Sequence, residues 1–119
     1  MKERRRDPRV REENKVVLTL VPDGTVQGSK RTYYSLTKDI SIGGIRIMTD
    51  APLAVDTRVG VEITLSKSRK SIKAVAVVRW VKDLFGTDVY DMGLEFLEID
   101  PDDQLVLIDH VYGKGEPKN

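Results

Sequence analysis

Six short runs of β-branched, aliphatic and aromatic residues follow one another along the sequence, separated by glycine, proline or charged residues. The clearest run is residues 59–65, in which every second residue is valine, isoleucine or leucine. A period of two is typical of a β-strand with one face in a core and the other in water. The other five runs cover residues 16–21, 31–42, 45–49, 72–81 and 89–97. Short strands at such regular spacing predict a small antiparallel β-barrel or closed sandwich.

Two of these runs predict further detail. Residues 72–81 are largely apolar on both faces, with Trp80 in the same alternating set as Ile72 and Val78, which predicts a strand in the middle of the sheet. Residues 22–24, after the first run, read Pro-Asp-Gly. They predict a turn, because proline fixes φ and glycine accepts a positive φ.

A helix is predicted after the last strand. Asp100 is a favourable N-cap, Pro101 suits the first helical position, and the acids that follow suit the positive end of the helix dipole. The helix is expected over residues 101–112, with Gly113 ending it. His110 is expected at its solvent edge, near the negative end of the dipole. The apolar residues at helical spacing are expected to cover one end of the barrel; they are Leu105, Ile108, Val111 and Tyr112.

The composition excludes several classes of protein. The 119 residues suffice for one domain, and the absence of cysteine excludes disulfides and thiolate chemistry.

No apolar run approaches the roughly 20 residues that span a bilayer, and a cytoplasmic protein is expected. The single histidine, His110, has no partners for a metal site or a Ser-His-acid site, so neither an enzyme nor a metal nor a cofactor is expected.

Positive charge is concentrated at the amino terminus. Residues 1–11 hold six basic side chains against two acidic ones, although the whole chain has a net charge of only +1. After Met1, residues 1–14 contain one apolar side chain, Val10, which is too little to order the segment alone, and Pro8 disfavours a helix there. The sequence therefore predicts a flexible basic arm at 1–14, a barrel with its helix at 15–112 and a polar tail at 113–119. Such an arm on a mildly acidic body is suited to binding an anion.

Polar residues and glycines interrupt the apolar pattern at residues 39–45. Asp39 and Ser41 share one face of an extended chain, and the isoleucines beside them point to the other face. This predicts that the isoleucines pack in the core and that the polar pair is exposed. Gly43 and Gly44 permit positive φ or the close approach of another body. Two interpretations fit: a binding edge, or a turn in which the aspartate and serine bond local amides.

These two segments together resemble the PilZ family. Its members carry an arginine motif, RxxxR, and further along the motif (D/N)xSxxG. Arg5 and Arg9 match the first motif, and Asp39, Ser41 and Gly44 match the second. The likeness continues through residues 78–81, 92–96 and the terminal helix, so it covers nearly the whole chain. The resemblance implies a six-stranded antiparallel β-barrel with a carboxy-terminal helix, in agreement with the strand pattern.

Members of the PilZ family are typically receptors for cyclic di-GMP, a bacterial second messenger made of two guanylates in a ring. The resemblance implies that this chain binds cyclic di-GMP, changes conformation and signals to a protein partner. Arginine suits that ligand, because a guanidinium can grip guanine or phosphate in a bidentate pair or stack on the base. The resemblance makes Arg5 and Arg9 the principal ligands. The full set of implied ligand residues is Arg4, Arg5, Arg6, Arg9, Asp39, Ser41, Gly43, Gly44 and Trp80.

Other interpretations fit the same residues. One is an adaptor with the PilZ fold that binds proteins and no nucleotide. Another is a small barrel that binds single-stranded nucleic acid through its basic arm. That interpretation requires several aromatics on one strand face, whereas only 6% of the residues are aromatic, so no nucleic-acid partner is expected. Trp80 also fits a core or barrel-rim position without a ligand.

Overall fold

A computed structural model describes residues 8–20 and 31–115, with side chains described as far as Gly113. Within these residues the chain forms seven strands and one helix. They are β1 (Arg9–Val10), β2 (Lys15–Leu20), β3 (Arg31–Ser41), β4 (Gly44–Thr49), β5 (Arg58–Thr64), β6 (Ser71–Asp83), β7 (Tyr90–Ile99) and α1 (Pro101–Gly115). The turn predicted at residues 22–24 lies outside the described residues.

Six of these strands close into an antiparallel barrel. Their order around the ring is β3, β2, β5, β6, β7, β4, and the pairing of β4 with β3 closes it. The short β1 is an addition that pairs with the last residues of β3. The prediction of a six-stranded antiparallel barrel with a carboxy-terminal helix is therefore confirmed, with one extra strand. Closure matters because an open sheet would leave two edges with unpaired backbone groups.

The alternation seen in the sequence builds the core. In β5, Val59, Val61 and Ile63 are buried, while Glu62 and Thr64 are half-buried on the outer face. Other strands of the barrel add valine, isoleucine, leucine and methionine side chains, and α1 adds two more. Burying one such side chain contributes about 1.5–3 kcal/mol through its removal from water. Shared packing inside the ring thus holds the short strands together.

β6 pairs with β5 along one edge and with β7 along the other. In a closed ring every strand has two neighbours, so this pairing does not single out β6 as the central strand that the sequence predicts. Between Val78 and Trp80 the register with β7 shifts, and Arg79 is the extra residue. A bulge of this kind reverses the face that the following side chains occupy. Val81 therefore packs against the core, and Trp80 lies on the outside with 42% of its surface exposed.

The buried face of α1 is not the predicted one. Leu107 and Val111, one turn apart, are fully buried. Three of the four predicted residues are exposed instead: Leu105 at 66%, Tyr112 at 51%, and Ile108. The helix carries apolar residues on more than one side, so its sequence permits two buried faces. Contact with β6, β1 and β3 selects the face that carries Leu107.

The helix starts where the sequence predicts and ends later. The carbonyl of Asp100 accepts a hydrogen bond from the N–H of Gln104 at 2.8 Å, and α1 begins at Pro101. It continues past Gly113 to Gly115, because glycine costs a helix only about 1 kcal/mol relative to alanine. Within the described part of the chain, no helix has the length and apolar character needed to cross a membrane.

Residues 8–14 lie against the barrel, contrary to the predicted boundary at residue 14. Asn14 is buried. Its N–H donates to Oγ1 of Thr37 at 3.0 Å, and its carbonyl accepts from the N–H of Thr37 at 2.9 Å. Its side-chain oxygen accepts from the N–H of Ser66 at 2.8 Å. These bonds to distant residues order the segment, which its own apolar content does not.

His110 is also buried, where the sequence predicts a position at the solvent edge. Its Nε2 is hydrogen bonded to the carboxylate of Glu12, in the segment between β1 and β2. Both side chains are nearly withdrawn from solvent. The contact therefore joins the beginning of the described chain to the terminal helix.

Candidate ligand-binding site

Asp39 lies at the centre of a cluster of charged side chains on the outside of the barrel. Its side chain is only 9% exposed. Its Oδ1 accepts a hydrogen bond from Nη1 of Arg9 at 2.6 Å, and its Oδ2 accepts one from Nε of Arg46 at 2.9 Å. The prediction that Asp39 and Ser41 are an exposed pair is wrong, since both are buried. In the case of Asp39, two guanidinium groups take the place of water.

The short strand β1 brings Arg9 to this cluster. Its pairing with β3 sets Arg9 directly opposite Ser41, two residues from Asp39 along the same face. The Arg9 side chain remains 44% exposed. A guanidinium exposed to that extent is accessible to a second anion while the backbone stays in β1. The other three implied arginines, Arg4, Arg5 and Arg6, lie outside the described residues.

Arg46 is a member of the cluster that the sequence analysis missed. It bridges two acids: Nε donates to Asp39, and Nη1 donates to Oδ2 of Asp91 at 2.9 Å. The hydrogen bond to Asp39 raises the pKa of the Arg46 guanidinium, partial burial opposes that rise, and the charge of Asp91 adds to it. The sequence carried one usable signal. Strands that flank a tight turn pair antiparallel, and that pairing sets Arg46 opposite Asp39.

Ser41 and Gly44 flank the turn between β3 and β4, and Gly43 lies in it. The N–H of Gly43 donates to Oγ of Ser41 at 3.3 Å, and that hydroxyl donates to the carbonyl of Gly44 at 3.4 Å. Neither glycine has a positive φ. A Cβ on Gly44 would lie 2.0 Å from the carbonyl oxygen of Leu94, so this glycine lets β4 approach β7. A Cβ on Gly43 would meet nothing within 4 Å, so an approaching ligand finds open space there.

Trp80 lies across a glycine of the neighbouring strand. Gly93 of β7 is its direct partner. A Cβ on Gly93 would lie 2.2 Å from Nε1 of Trp80, so the indole occupies the space that a side chain would need. Together with its 42% exposure, this makes Trp80 a ring laid on the barrel surface and not a core residue.

The sheet register places these residues in one row. Asp39 is opposite Arg46 on β4, Arg46 is opposite Gly93 on β7, and Gly93 is opposite Trp80 on β6. Directly opposite residues share a face of the sheet. The outer surface therefore presents a carboxylate, a guanidinium and an indole in line across four strands, with Arg9 at the carboxylate end. We call Asp39, Arg46, Gly93 and Trp80 the surface row.

The surface row has the chemistry to hold a nucleotide base and an anionic group together. An ionised carboxylate accepts hydrogen bonds from ring N–H and amino groups. Guanidinium groups bind phosphate or carbonyl oxygens through paired donors. An exposed indole offers a stacking face. Among the described residues, no group of histidine, aspartate and glutamate is arranged to hold a metal ion.

Comparison with known proteins identifies the family and the fold. The family model described as PilZ domain matches residues 3–113. No curated protein sequence matches the chain significantly.

Several solved structures share the fold. The inhibitor of motility MotI/DgrA from Bacillus subtilis superposes with a TM-score of 0.76 at 22% identity, over 95% of this chain and 52% of that one. YcgR from Escherichia coli, in complex with c-di-GMP, gives 0.72 at 17% identity over 94% and 46%. The MrkH complex with c-di-GMP from K. pneumonia gives 0.67 at 25% identity over 98% and 56%. This chain thus spans about half the length of each of these proteins.

Proposed function

This chain belongs to the PilZ domain family, and we propose that it is a receptor for cyclic di-GMP that binds the nucleotide on the surface row beside Arg9. The observation that carries the proposal is the ion pair between Arg9 and Asp39. These residues come from two different sequence motifs, 30 positions apart, and their side chains meet at 2.6 Å. An arginine in a solvated terminal segment would not be expected to form an ion pair with a buried aspartate.

Guanine complements the groups gathered there. Its ring N–H and amino group suit Asp39, which as a carboxylate can only accept. Its O6 and N7, or a phosphate of the ligand, suit the fork of Arg9. Stacking on Trp80 would add about 1–3 kcal/mol per base. In this arrangement Asp39 contacts the edge of a guanine, Arg9 contacts its acceptor atoms or a phosphate, and Trp80 stacks on the face of a base.

The relatives support the ligand class. YcgR and MrkH are described in complex with c-di-GMP, and MrkH also as a c-di-GMP-dependent transcription regulatory factor. Proteins with a PilZ domain are generally c-di-GMP receptors or effectors and not enzymes. Since the sequence identities are 25% or less, these proteins share the fold with this chain, and the ligand is extended to it here as a proposal.

A receptor of this kind reports its ligand through a changed surface. Arg9 belongs to the same segment as Glu12, and Glu12 contacts His110 in α1. A nucleotide that draws Arg9 toward itself therefore acts on a segment attached to the terminal helix. The exposed apolar residues of that helix, Leu105 and Tyr112 among them, form a surface to which a protein partner could bind.

The direct test is isothermal titration of the protein with cyclic di-GMP. We expect a dissociation constant of about 1 μM or lower, which corresponds to roughly −8 kcal/mol. Cyclic di-AMP should compete poorly, because adenine has an amino donor where guanine has O6. No heat change at ligand concentrations near 100 μM would overturn the proposal.

A short single-stranded oligonucleotide is the second ligand in the same titration. Oligonucleotide binding through many phosphates weakens steeply with salt. Tight, salt-sensitive binding of the oligonucleotide without binding of cyclic di-GMP would favour the nucleic-acid interpretation. Binding of neither would favour a protein adaptor.

A further inference from the structure

We propose, on the basis of the function proposed above, that Arg46 is a positioning residue which, held by Asp91, stays paired with Asp39 and keeps it oriented toward guanine when Arg9 turns to the nucleotide. The role follows from four charged groups arranged in a chain. Arg9, Asp39, Arg46 and Asp91 are linked by three contacts of 2.6, 2.9 and 2.9 Å.

Asp39 and the nucleotide compete for the guanidinium of Arg9. Its Nη1 is bonded to Oδ1 of Asp39 at 2.6 Å. A bidentate grip on guanine or phosphate needs two N–H groups from one edge of the guanidinium fork. When Arg9 turns to the nucleotide, Oδ1 becomes available to accept from the guanine N–H groups. The guanine N–H groups thereby replace Nη1 of Arg9 as the donors to Oδ1 of Asp39.

The exchange leaves a buried charge that needs a remaining partner. The Asp39 side chain is only 9% exposed. A carboxylate buried to that extent is strongly destabilised without a compensating cation or donors. Arg46 supplies that cation, since it bonds Oδ2, the oxygen that Arg9 does not use. Each carboxylate oxygen has two acceptor positions, so the bond from Arg46 does not exclude the ligand.

Arg46 is held more firmly than Arg9. It lies on β4, which has β3 on one side and β7 on the other. Asp91, itself largely buried, binds its Nη1 from β7. The close approach of β4 to β7 at Gly44 keeps the two strands together. As an arginine, Arg46 remains a cation throughout, and hydrogen bonding to Asp39 raises its pKa further. Arg9, by contrast, is on a strand of only two residues.

The test is titration of cyclic di-GMP and cyclic di-AMP into the variants Arg46→Gln and Asp91→Asn. Arg46→Gln should raise the dissociation constant for cyclic di-GMP about 30-fold, because it removes the charge partner of a buried carboxylate. Asp91→Asn keeps an oxygen acceptor and should raise it about fivefold. Both should lower the preference for cyclic di-GMP over cyclic di-AMP, since Asp39 reads the guanine edge. The matched control is Arg58→Gln on β5, a strand that pairs with neither β3 nor β4, and it should bind as wild type.

The double variant Asp39→Ala with Arg46→Gln separates positioning from direct contact. If Arg46 acts through Asp39, the double variant should bind within about twofold of Asp39→Ala alone. Additive losses, an equal loss for both nucleotides, or wild-type affinity in Arg46→Gln would each overturn this inference while leaving the receptor function intact. Absence of binding by the wild-type protein would overturn both. Should Arg46→Gln fail to fold, the fivefold effect and lowered preference in Asp91→Asn still decide the question.

Discussion

Glu12 and His110 lie 98 positions apart in the chain, and their side chains meet in a nearly solvent-free contact. One residue precedes the barrel and the other is in the helix that follows it. The contact thus holds both ends of the described fold against each other. Its loss should affect the segment that carries Arg9 as well as the helix.

His110→Ala should therefore lower the free energy of unfolding by about 2–3 kcal/mol, because it removes a hydrogen-bond partner from a buried carboxylate and leaves a small cavity. Urea unfolding followed by circular dichroism measures this. Asp109→Ala, at an exposed position of the same helix, is the matched control and should change stability by less than about 0.5 kcal/mol. Equal effects in the two variants would contradict a stabilising role for the contact.

The two adjacent glycines should respond very differently to alanine. Gly44→Ala would place a methyl 2.0 Å from the carbonyl oxygen of Leu94 and push β4 away from β7, at a cost of about 3 kcal/mol or more. Gly43→Ala meets open space and should change stability by less than about 0.5 kcal/mol. Thermal unfolding of the two variants, side by side, checks the comparison. A similar loss in both would mean that backbone freedom, and not the strand approach, is what the glycines provide.

Gly93→Ala should displace the indole of Trp80. The new methyl would lie 2.2 Å from Nε1, and the ring sits at the end of a side chain that can rotate away. The chain contains one tryptophan, so its fluorescence reports the move directly. We expect stronger quenching by acrylamide and a roughly tenfold weaker affinity for cyclic di-GMP, the loss expected for one stacked base. Gly60→Ala, where a methyl makes only ordinary contacts, is the control. Unchanged fluorescence in Gly93→Ala would contradict the placement of the ring.

Arg9→Ala and Asp39→Ala should each weaken binding of cyclic di-GMP by about 2–4 kcal/mol, since each removes a charged group that the bound nucleotide would contact and shield from water. Arg11→Ala, an exposed arginine two residues along, should cost far less. Folding should change by only about 1 kcal/mol in Arg9→Ala, because that side chain is half in water. Calorimetric titration and thermal unfolding measure the two quantities separately. Normal binding by Arg9→Ala would show that the arginine is a solvated neighbour of Asp39.

Much of the fold follows from local pattern. The alternation in residues 59–65 reports a strand with one buried face, and Asp100 followed by Pro101 reports a helix start. Both are short-range effects. Successive side chains of a strand alternate between the buried and the exposed face, and an N-cap residue acts on the first turn of its helix. The motif residues Arg9 and Asp39 could also be identified from the sequence, because the motifs RxxxR and (D/N)xSxxG that contain them resemble those of the PilZ family. Their contact at 2.6 Å could not.

What the tertiary structure decided depends on residues far apart in the chain. Trp80 faces outward because one extra residue, Arg79, shifts the register against β7, and a period of two cannot report such a shift. The helix buries Leu107 in place of Leu105 because barrel contacts select between two apolar faces. Arg46 joins the site because β3 and β7 bring an acid to each side of it. Local sequence determines which residues prefer to be buried or extended. Closure of the ring determines which of them come into contact, because contacts between distant residues contribute free energy only once their strands are paired.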